Sequence, residues 1–311
     1  MSAPIVSHLD PDSVRRAAEI LGNGGIVALP TETVYGLGAS IDSASGINRI
    51  FSVKGRPADH PLIVHGSSAS ILDEVSDHPT PVARQLVAEV WPGPLSLLVP
   101  RSERVSLSVT GGRDTVVVRV PAHDFFRSVV NLLGSAIAAP SANRFGRVSP
   151  TTAEHVAADL GDDVDLIVDG GPSVIGVEST IVDTMTSPPQ VLRHGGIPIE
   201  DVEALLGMSL AESDGTVRAP GTLASHYAPQ CQVVLAETAD EAHSLLRTLP
   251  PSAGIVETPT SAGLYAATLY STLRTCDERG WSHAVFVLPP DLGLGRAIRD
   301  RLKRAAAPFA G

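Results

Sequence analysis

A chain of 311 residues with 43% hydrophobic and 18% charged content is ordinary globular material, long enough for two domains and a substantial core. Its net charge of −11 argues against a surface that grips nucleic acid by neutralising phosphates, though a local basic pocket for a small polyanion stays open. Cys231 and Cys276 lie far apart without metal-ligand spacing, which speaks against a zinc site and for a reducing compartment. Residues 1–10 lack the basic and apolar regions of a signal peptide, and no apolar run is long enough to span a bilayer, so a cytoplasmic protein without membrane contact is expected.

In chain order, Asp10-Pro11 opens a helix whose Val14, Ala17, Ile20 and Leu21 share one face, and Gly22, Gly24 and Gly25 stop it. Ile26 to Leu29 reads as a buried strand ended by Pro30. The stretch Thr31-Glu32-Thr33-Val34-Tyr35-Gly36-Leu37-Gly38 then gathers polar groups where the chain leaves a core. By itself it is either a glycine-containing turn capping a helix or part of a ligand site at a strand end. A short amphipathic helix over Ile47 to Val53 delivers Lys54 and Arg56. Strands are predicted at 61–65, 95–99, 115–120, 136–139, 166–168, 179–183 and 191–193. Helices are predicted at 81–90, 125–133, 151–158 and 200–206. Residues 1–207 thus form an α/β domain with a twisted mixed sheet and flanking helices. The small, polar and Pro/Gly-rich run 208–230 is a linker. From 231 to 311 a strict strand–helix rhythm predicts a small three-layer α/β, Rossmann-like domain.

Several residue groups could carry chemistry. Lys54 and Arg56 combine a mobile point charge with a planar fork, a pair that suits phosphate oxygens, although most such pairs are solvated surface. Ser141-Ala142-Asn143 offers a hydroxyl and an amide at a strand end, or simply a turn. Arg119 inside the apolar run Val116 to Val120 needs either a structural carboxylate or an anionic ligand, and Arg193 poses the same choice. The Gly-x-Gly-x-x-Gly, Walker-type and Gly-x-Ser-x-Gly signals are absent from the sequence. The pattern points to binding and positioning without a protein nucleophile.

Read together, the stretches Pro30 to Gly38, Lys54-Gly55-Arg56-Pro57, Pro61 to His65, Trp91 to Leu95, Thr115 to Pro121, Ala139 to Asn143, Ser149 to Thr152 and Glu178 to Asp183 resemble the L-threonylcarbamoyladenylate synthase family. Its catalytic part is a YrdC-like domain. Ala219-Pro220-Gly221, Ser225 to Pro229 and Gly293-Leu294-Gly295 resemble the linker and C-terminal domain of the family's long form. The resemblance implies a reaction in which bicarbonate, L-threonine and ATP give threonylcarbamoyladenylate and pyrophosphate. A downstream tRNA threonylcarbamoyl transferase would use that product to modify the adenosine beside the anticodon. It further implies that Thr33, His65, Arg119, Ala139 and Ser179 contact L-threonine. Arg56, His60, Thr115, Ser141, Asn143, Ser149, Arg193 and Tyr227 would contact ATP, with Lys54 and Arg56 as the catalytic cations and Mg²⁺ accompanying ATP. His60 departs from the asparagine of many relatives.

The residue types fit such substrates. Arg119, Ala139 and Thr33 offer a cation for a carboxylate, a small wall for a methyl and a partner for a hydroxyl, while Thr31 and Glu32 are read as shaping the turn. His226-Tyr227 could fold over the pocket as a lid, or belong to a plain connector. Two other classes are a non-catalytic RNA-binding module, which the acidic balance disfavours along with direct tRNA binding, and a carbamoyltransferase acting through carbamoyladenylate. Such carbamoyltransferases carry cysteine-rich and acylphosphatase segments that this sequence lacks.

Overall fold

The computed structural model describes residues 3–213, 215, 220 and 227–307. The first strands are β1 (Ile5–Ser7), β2 (Val27–Leu29), β3 (Gly36–Ser40) and β4 (Ile63–His65). They are followed by β5 (Leu95–Pro100), β6 (Thr115–Arg119), β7 (Ile137–Ala138) and β8 (Leu166–Asp169), then β9 (Thr180–Asp183), β10 (Gln190–Arg193) and β11 (Ala211–Glu212). These form one mixed sheet in the order β1-β8-β2-β3-β7-β4-β6-β5-β9-β10-β11. Helices α1 (Ser13–Gly22), α2 (Ala44–Lys54), α3 (Ile71–Val75) and α4 (Pro81–Val90) are followed by α5 (Leu107–Thr110), α6 (Asp124–Leu133), α7 (Ala153–Leu160) and α8 (Ile199–Leu206).

Alternating side chains divide between the sheet's two faces, as a two-residue repeat requires. Val27 and Leu29 pack with Ala17 and Leu21 of α1 and with Phe126 and Val129 of α6. Ala28 joins the larger core with Ile47 and Ile50 of α2. Ile63 and Val117 belong to a small third cluster with Leu98, Ile181 and Leu192. Two residues on along their strands, and so on the same side, stand His65 and Arg119, paired in register across parallel β4 and β6.

Three sequence expectations change. Gly36 to Ser40 is a strand, antiparallel to β2 with Leu29 opposite Gly36, so the stretch 30–35 is a hairpin loop rather than a helix cap. Its small residues suit the crowding there, since a Cβ at Gly38 would come within 2.8 Å of Ile137 Cγ2. At the first helix the residue before α1 is Asp12, without a side-chain cap, and Asp10 Oδ1 instead accepts from Asp12 N at 3.0 Å. The large sheet also runs on into the expected linker, because Ala211–Glu212 pairs parallel with β10. Residues 214, 216–219 and 221–226 of that linker lie outside the described residues.

The second unit follows its expected rhythm. Strands β12 (Gln232–Ala236), β13 (Gly254–Ile255) and β14 (His283–Val287) form a parallel sheet in the order β12-β14-β13, with helices α9 (Ala239–Leu246), α10 (Ala262–Glu278) and α11 (Leu294–Ala306). Its core is continuous with the first unit: Val34, Val148 and Val177 cluster with Tyr270, Phe286 and Ile298. Arg274 of α10 adds an ion pair to Asp159 at 2.7 Å. Among the described residues no helix is long and apolar enough to cross a membrane.

Candidate active site

A cavity opens where the loop after β2 meets the ends of β4, β6, β7 and β10 and the start of β9. Thr33, His65, Arg119, Ala139 and Ser179, the expected threonine contacts, all line it. So do Arg56, Ser141, Arg193 and Tyr227 from the expected ATP set.

Its best-defined corner is built on Arg119, only 3% exposed. Arg119 Nε donates to Gly93 O and Nη1 to Thr33 Oγ1, both at 2.9 Å, and Nη2 lies 2.5 Å from Glu32 Oε1. The structural carboxylate and the cavity-facing role, read as alternatives, therefore coexist, and Glu32 does more than shape the turn. Shaping the turn falls to Thr31, whose Oγ1 accepts from the backbone N–H of Thr33 and Val34 and meets Thr33 Oγ1 at 2.8 Å. His65 is tilted against the Phe126 ring with 5.4 Å between centroids. Burial, reinforced by Arg119, pushes its imidazole down to about 3, so it is neutral near pH 7.

The opposite wall is framed by Arg193, whose Nε and Nη2 both donate to Ser179 O and whose Nη2 also reaches Ser179 Oγ at 3.0 Å. Ser179 Oγ in turn meets Ser96 Oγ at 2.7 Å. Gly195 permits this packing, because a Cβ there would fall 2.3 Å from Glu178 O. Arg56 is held by Pro61 O at 2.9 Å and stands 5.8 Å over the Phe145 ring. Burial lowers its pKa to about 10, which leaves it charged at neutral pH.

Five expected contacts do not line the cavity. Lys54 closes α2, where Gly55 takes the left-handed conformation at φ 62°, and its Nζ donates to Ser141 O at 2.6 Å and to Asn143 O. Burial and then Arg56 hold its pKa well below the usual lysine value. The ammonium thus ties down the Ser141–Asn143 loop instead of facing the cavity. Asn143 turns inward, accepting from Ser141 Oγ and donating to Arg144 O and Arg147 O. Ser149 donates to Glu178 Oε1 at 2.7 Å. His60 packs edge-on to Phe145 beside Arg56. Thr115 begins β6, four residues and so roughly 13 Å from Arg119 at its other end.

Glu178 was absent from the expected site residues and lines the cavity. Burial alone would raise its pKa, but Arg301 and Arg193 outweigh that and hold the carboxyl down at about 2. Its place immediately before Ser179 was the available signal. Of the expected lid pair, His226 lies outside the described residues, while Tyr227 forms part of the cavity wall.

Two family profiles divide the chain. One, described as "Telomere recombination" and covering the Sua5, YciO and YrdC proteins, matches residues 19–195, and that of the threonylcarbamoyl-AMP synthase C-terminal domain matches residues 197–307. The chain is 37% identical to the threonylcarbamoyl-AMP synthase of Pyrococcus abyssi over 94% of both chains. It is also 37% identical to that of Bacillus subtilis, over 97% of this chain and 94% of the relative. The crystal structure of Pyrococcus abyssi Sua5 complexed with L-threonine superposes with a TM-score of 0.92 at 36% identity, covering 98% of each chain. With both domains matched in order and most of the cavity lining drawn from the first, the chain belongs to the threonylcarbamoyl-AMP synthase family of enzymes, in its two-domain form.

Proposed function

We propose that this cavity joins L-threonine, bicarbonate and ATP into threonylcarbamoyladenylate, with release of pyrophosphate. The observation that supports it most is the convergence of Thr33, His65, Arg119, Ala139 and Ser179 on one cavity, with Thr33 hydrogen-bonded to Arg119. Arg119 supplies the cation for the threonine carboxylate, Ala139 the apolar wall for its methyl group, and Thr33 and Ser179 hydroxyl partners. Neutral His65 adds a hydrogen-bonding ring without competing charge.

The threonine amine and bicarbonate first condense to a carbamate, losing water. A carbamate oxygen then attacks the α-phosphorus of ATP, and the bond to the β-phosphate oxygen breaks as pyrophosphate leaves. Two anions must meet, so the dominant need is fixed positive charge rather than a nucleophile. Arg56 and Arg193 provide it from the cavity wall. Lys54 acts at one remove by fixing the carbonyls of Ser141 and Asn143, and hence the Ser141 hydroxyl, in place of the direct phosphate contact suggested by the sequence. Among the described residues no three His, Cys, Asp or Glu side chains gather as a metal site. Mg²⁺ enters in this reading as part of the nucleotide substrate, most of its shell being phosphate and water oxygens. The product then serves a separate transferase that modifies tRNA.

The test is incubation with ATP, bicarbonate and each amino acid in turn while pyrophosphate is measured. Release that depends on threonine is expected. Threonine-independent release, or none, would overturn the reading.

A further inference from the structure

One wall of the cavity is held from the other domain. Arg301 lies in the middle of α11, on the same helix face as the buried Ile298, Leu302 and Ala305, and its side chain is 0% exposed. A guanidinium at such a position is expensive to desolvate unless it is fully partnered, and an apolar residue would serve helix packing better. Its partners lie largely outside its own domain. Nε donates to Glu178 Oε2 at 2.8 Å and Nη2 to His194 O at 3.0 Å, while Nη1 meets the neighbouring Asp300 at 2.5 Å. The guanidinium carbon also stands 5.1 Å over the Tyr227 ring.

Of these partners, Glu178 and Tyr227 line the cavity. Glu178 is completed by Ser149 on one oxygen and, beside Arg301, by Tyr270 Oη at 2.8 Å on the other. Tyr227 stacks on Tyr270 with 5.6 Å between ring centroids, so it is gripped between an α10 ring and the α11 guanidinium. Its φ of 63° is one that bulky residues avoid, and such a backbone persists only where the surroundings over-determine it. The Tyr227 side chain is held there by Arg301 and Tyr270, both from the small domain, while the next residue is tied to the large domain by Ala228 N donating to Gly146 O at 3.0 Å.

We infer that Arg301 is a positioning residue for the synthase reaction: through it the small domain fixes Glu178 and Tyr227 as one wall of the pocket. The small domain is thereby a structural part of the nucleotide side of the site. This rests on the function proposed above.

Full-length Arg301→Met, Arg301→Lys and the charge-balanced double variant Arg301→Met/Glu178→Gln test it, with KM for ATP, KM for threonine, kcat and thermal midpoint measured for each. KM for ATP is expected to rise about tenfold in the Met and double variants, on the scale of one desolvated cation–π contact, with kcat changing less. The lysine should recover part of that loss. A role confined to folding would lower the midpoint and the active fraction at constant KM. A second readout is the pH profile, since Glu178 is faced by Arg301, Arg193, Tyr270, Tyr227 and Ser149. Without Arg301 its carboxyl should titrate higher, so kcat/KM of Arg301→Met gains an acid limb that the double variant lacks. Should Arg301→Met fail to fold, the double variant and the lysine decide by the same KM criterion. A KM for ATP within twofold of the parent in the folded variants would overturn the inference. Threonine-dependent pyrophosphate release by the parent enzyme in the same assay keeps that result separate from a failure of the reaction assignment.

Discussion

Two buried arginine–carboxylate pairs flank the cavity, and they are built on different terms. Glu32 touches Arg119 at 2.5 Å, yet among the described residues neither of its carboxylate oxygens has a hydrogen-bond partner, and Arg119's own bonds go to Gly93 and Thr33. Glu178 and Arg301 instead have Ser149, Tyr270, His194 and Asp300 as further partners. The first pair is a contact of charges that a ligand carboxylate can share. The second is framework: breaking any member leaves several buried groups short of a partner. The difference separates a group that meets substrate from one that shapes the wall.

The largest effect should come from breaking the first pair at its cation. Arg119→Met should cut threonine-dependent pyrophosphate release by about a hundredfold or more, since an oriented charge contact to substrate is worth several kcal/mol in such a site. It should also lower stability by about 3–5 kcal/mol, because Glu32 is left as an uncompensated buried anion. Adding Glu32→Gln should restore most of the stability and none of the activity. Denaturant melts and the pyrophosphate assay on both variants check this. Recovery of activity in the double variant would remove Arg119 from substrate binding.

A smaller effect sharpens the contrast between the carboxylates. Glu178→Gln disrupts three directed bonds, one to a cation, and should cost about 2–3 kcal/mol, whereas Glu32→Gln should cost about 1 kcal/mol. L-threonine should then raise the thermal midpoint of Glu32→Gln by more than it raises that of the parent, its carboxylate supplying the missing counter-charge. Equal costs, or equal threonine shifts, would erase the distinction.

The sequence exposed one of these pairs more readily than the other. Arg119 interrupts a run of valines, so its need for a partner was visible, and hydrophobic runs located most strands of both sheets. Gly36 to Ser40 escaped because its small residues carry no strand signature. Its pairing depends on β2 and β7, which come from elsewhere in the chain. Arg301 escaped for a related reason. It is one of several arginines on an amphipathic helix, and only its spacing from Ile298, Leu302 and Ala305 put it on the buried face. That Glu178 waits at the end of Arg301's side chain is a contact across 123 residues, which no local pattern encodes. Lys54 shows the converse. A cation beside a glycine looked like a phosphate ligand, and the fold instead turned it toward backbone carbonyls.

The pH dependence of stability tests how tightly the Arg119 corner is closed. His65 titrates at about 3 in the folded protein, against 6.5 ordinarily, because burial and Arg119 both oppose its charging. Between those values the unfolded chain binds a proton that the native state refuses, so stability rises with pH and is lost as pH falls from about 6.5 toward 3. Glu178, held at about 2 against an ordinary 4.5, contributes stability that is lost only below about 4.5. The interval from about 6.5 to 4.5 therefore belongs to histidines whose charging burial opposes: His65, the half-buried His155, which titrates at about 4, and His123, which is also lowered. Replacing His65 by Gln should reduce the slope of unfolding free energy there by about 1.4 kcal/mol per pH unit, one proton's worth, while leaving the His155 and His123 shares. Urea unfolding at closely spaced pH values measures this. An unchanged slope would mean that His65 is protonated in the native state, which requires Glu32 to offset Arg119 more fully than a pair without directed hydrogen bonds can.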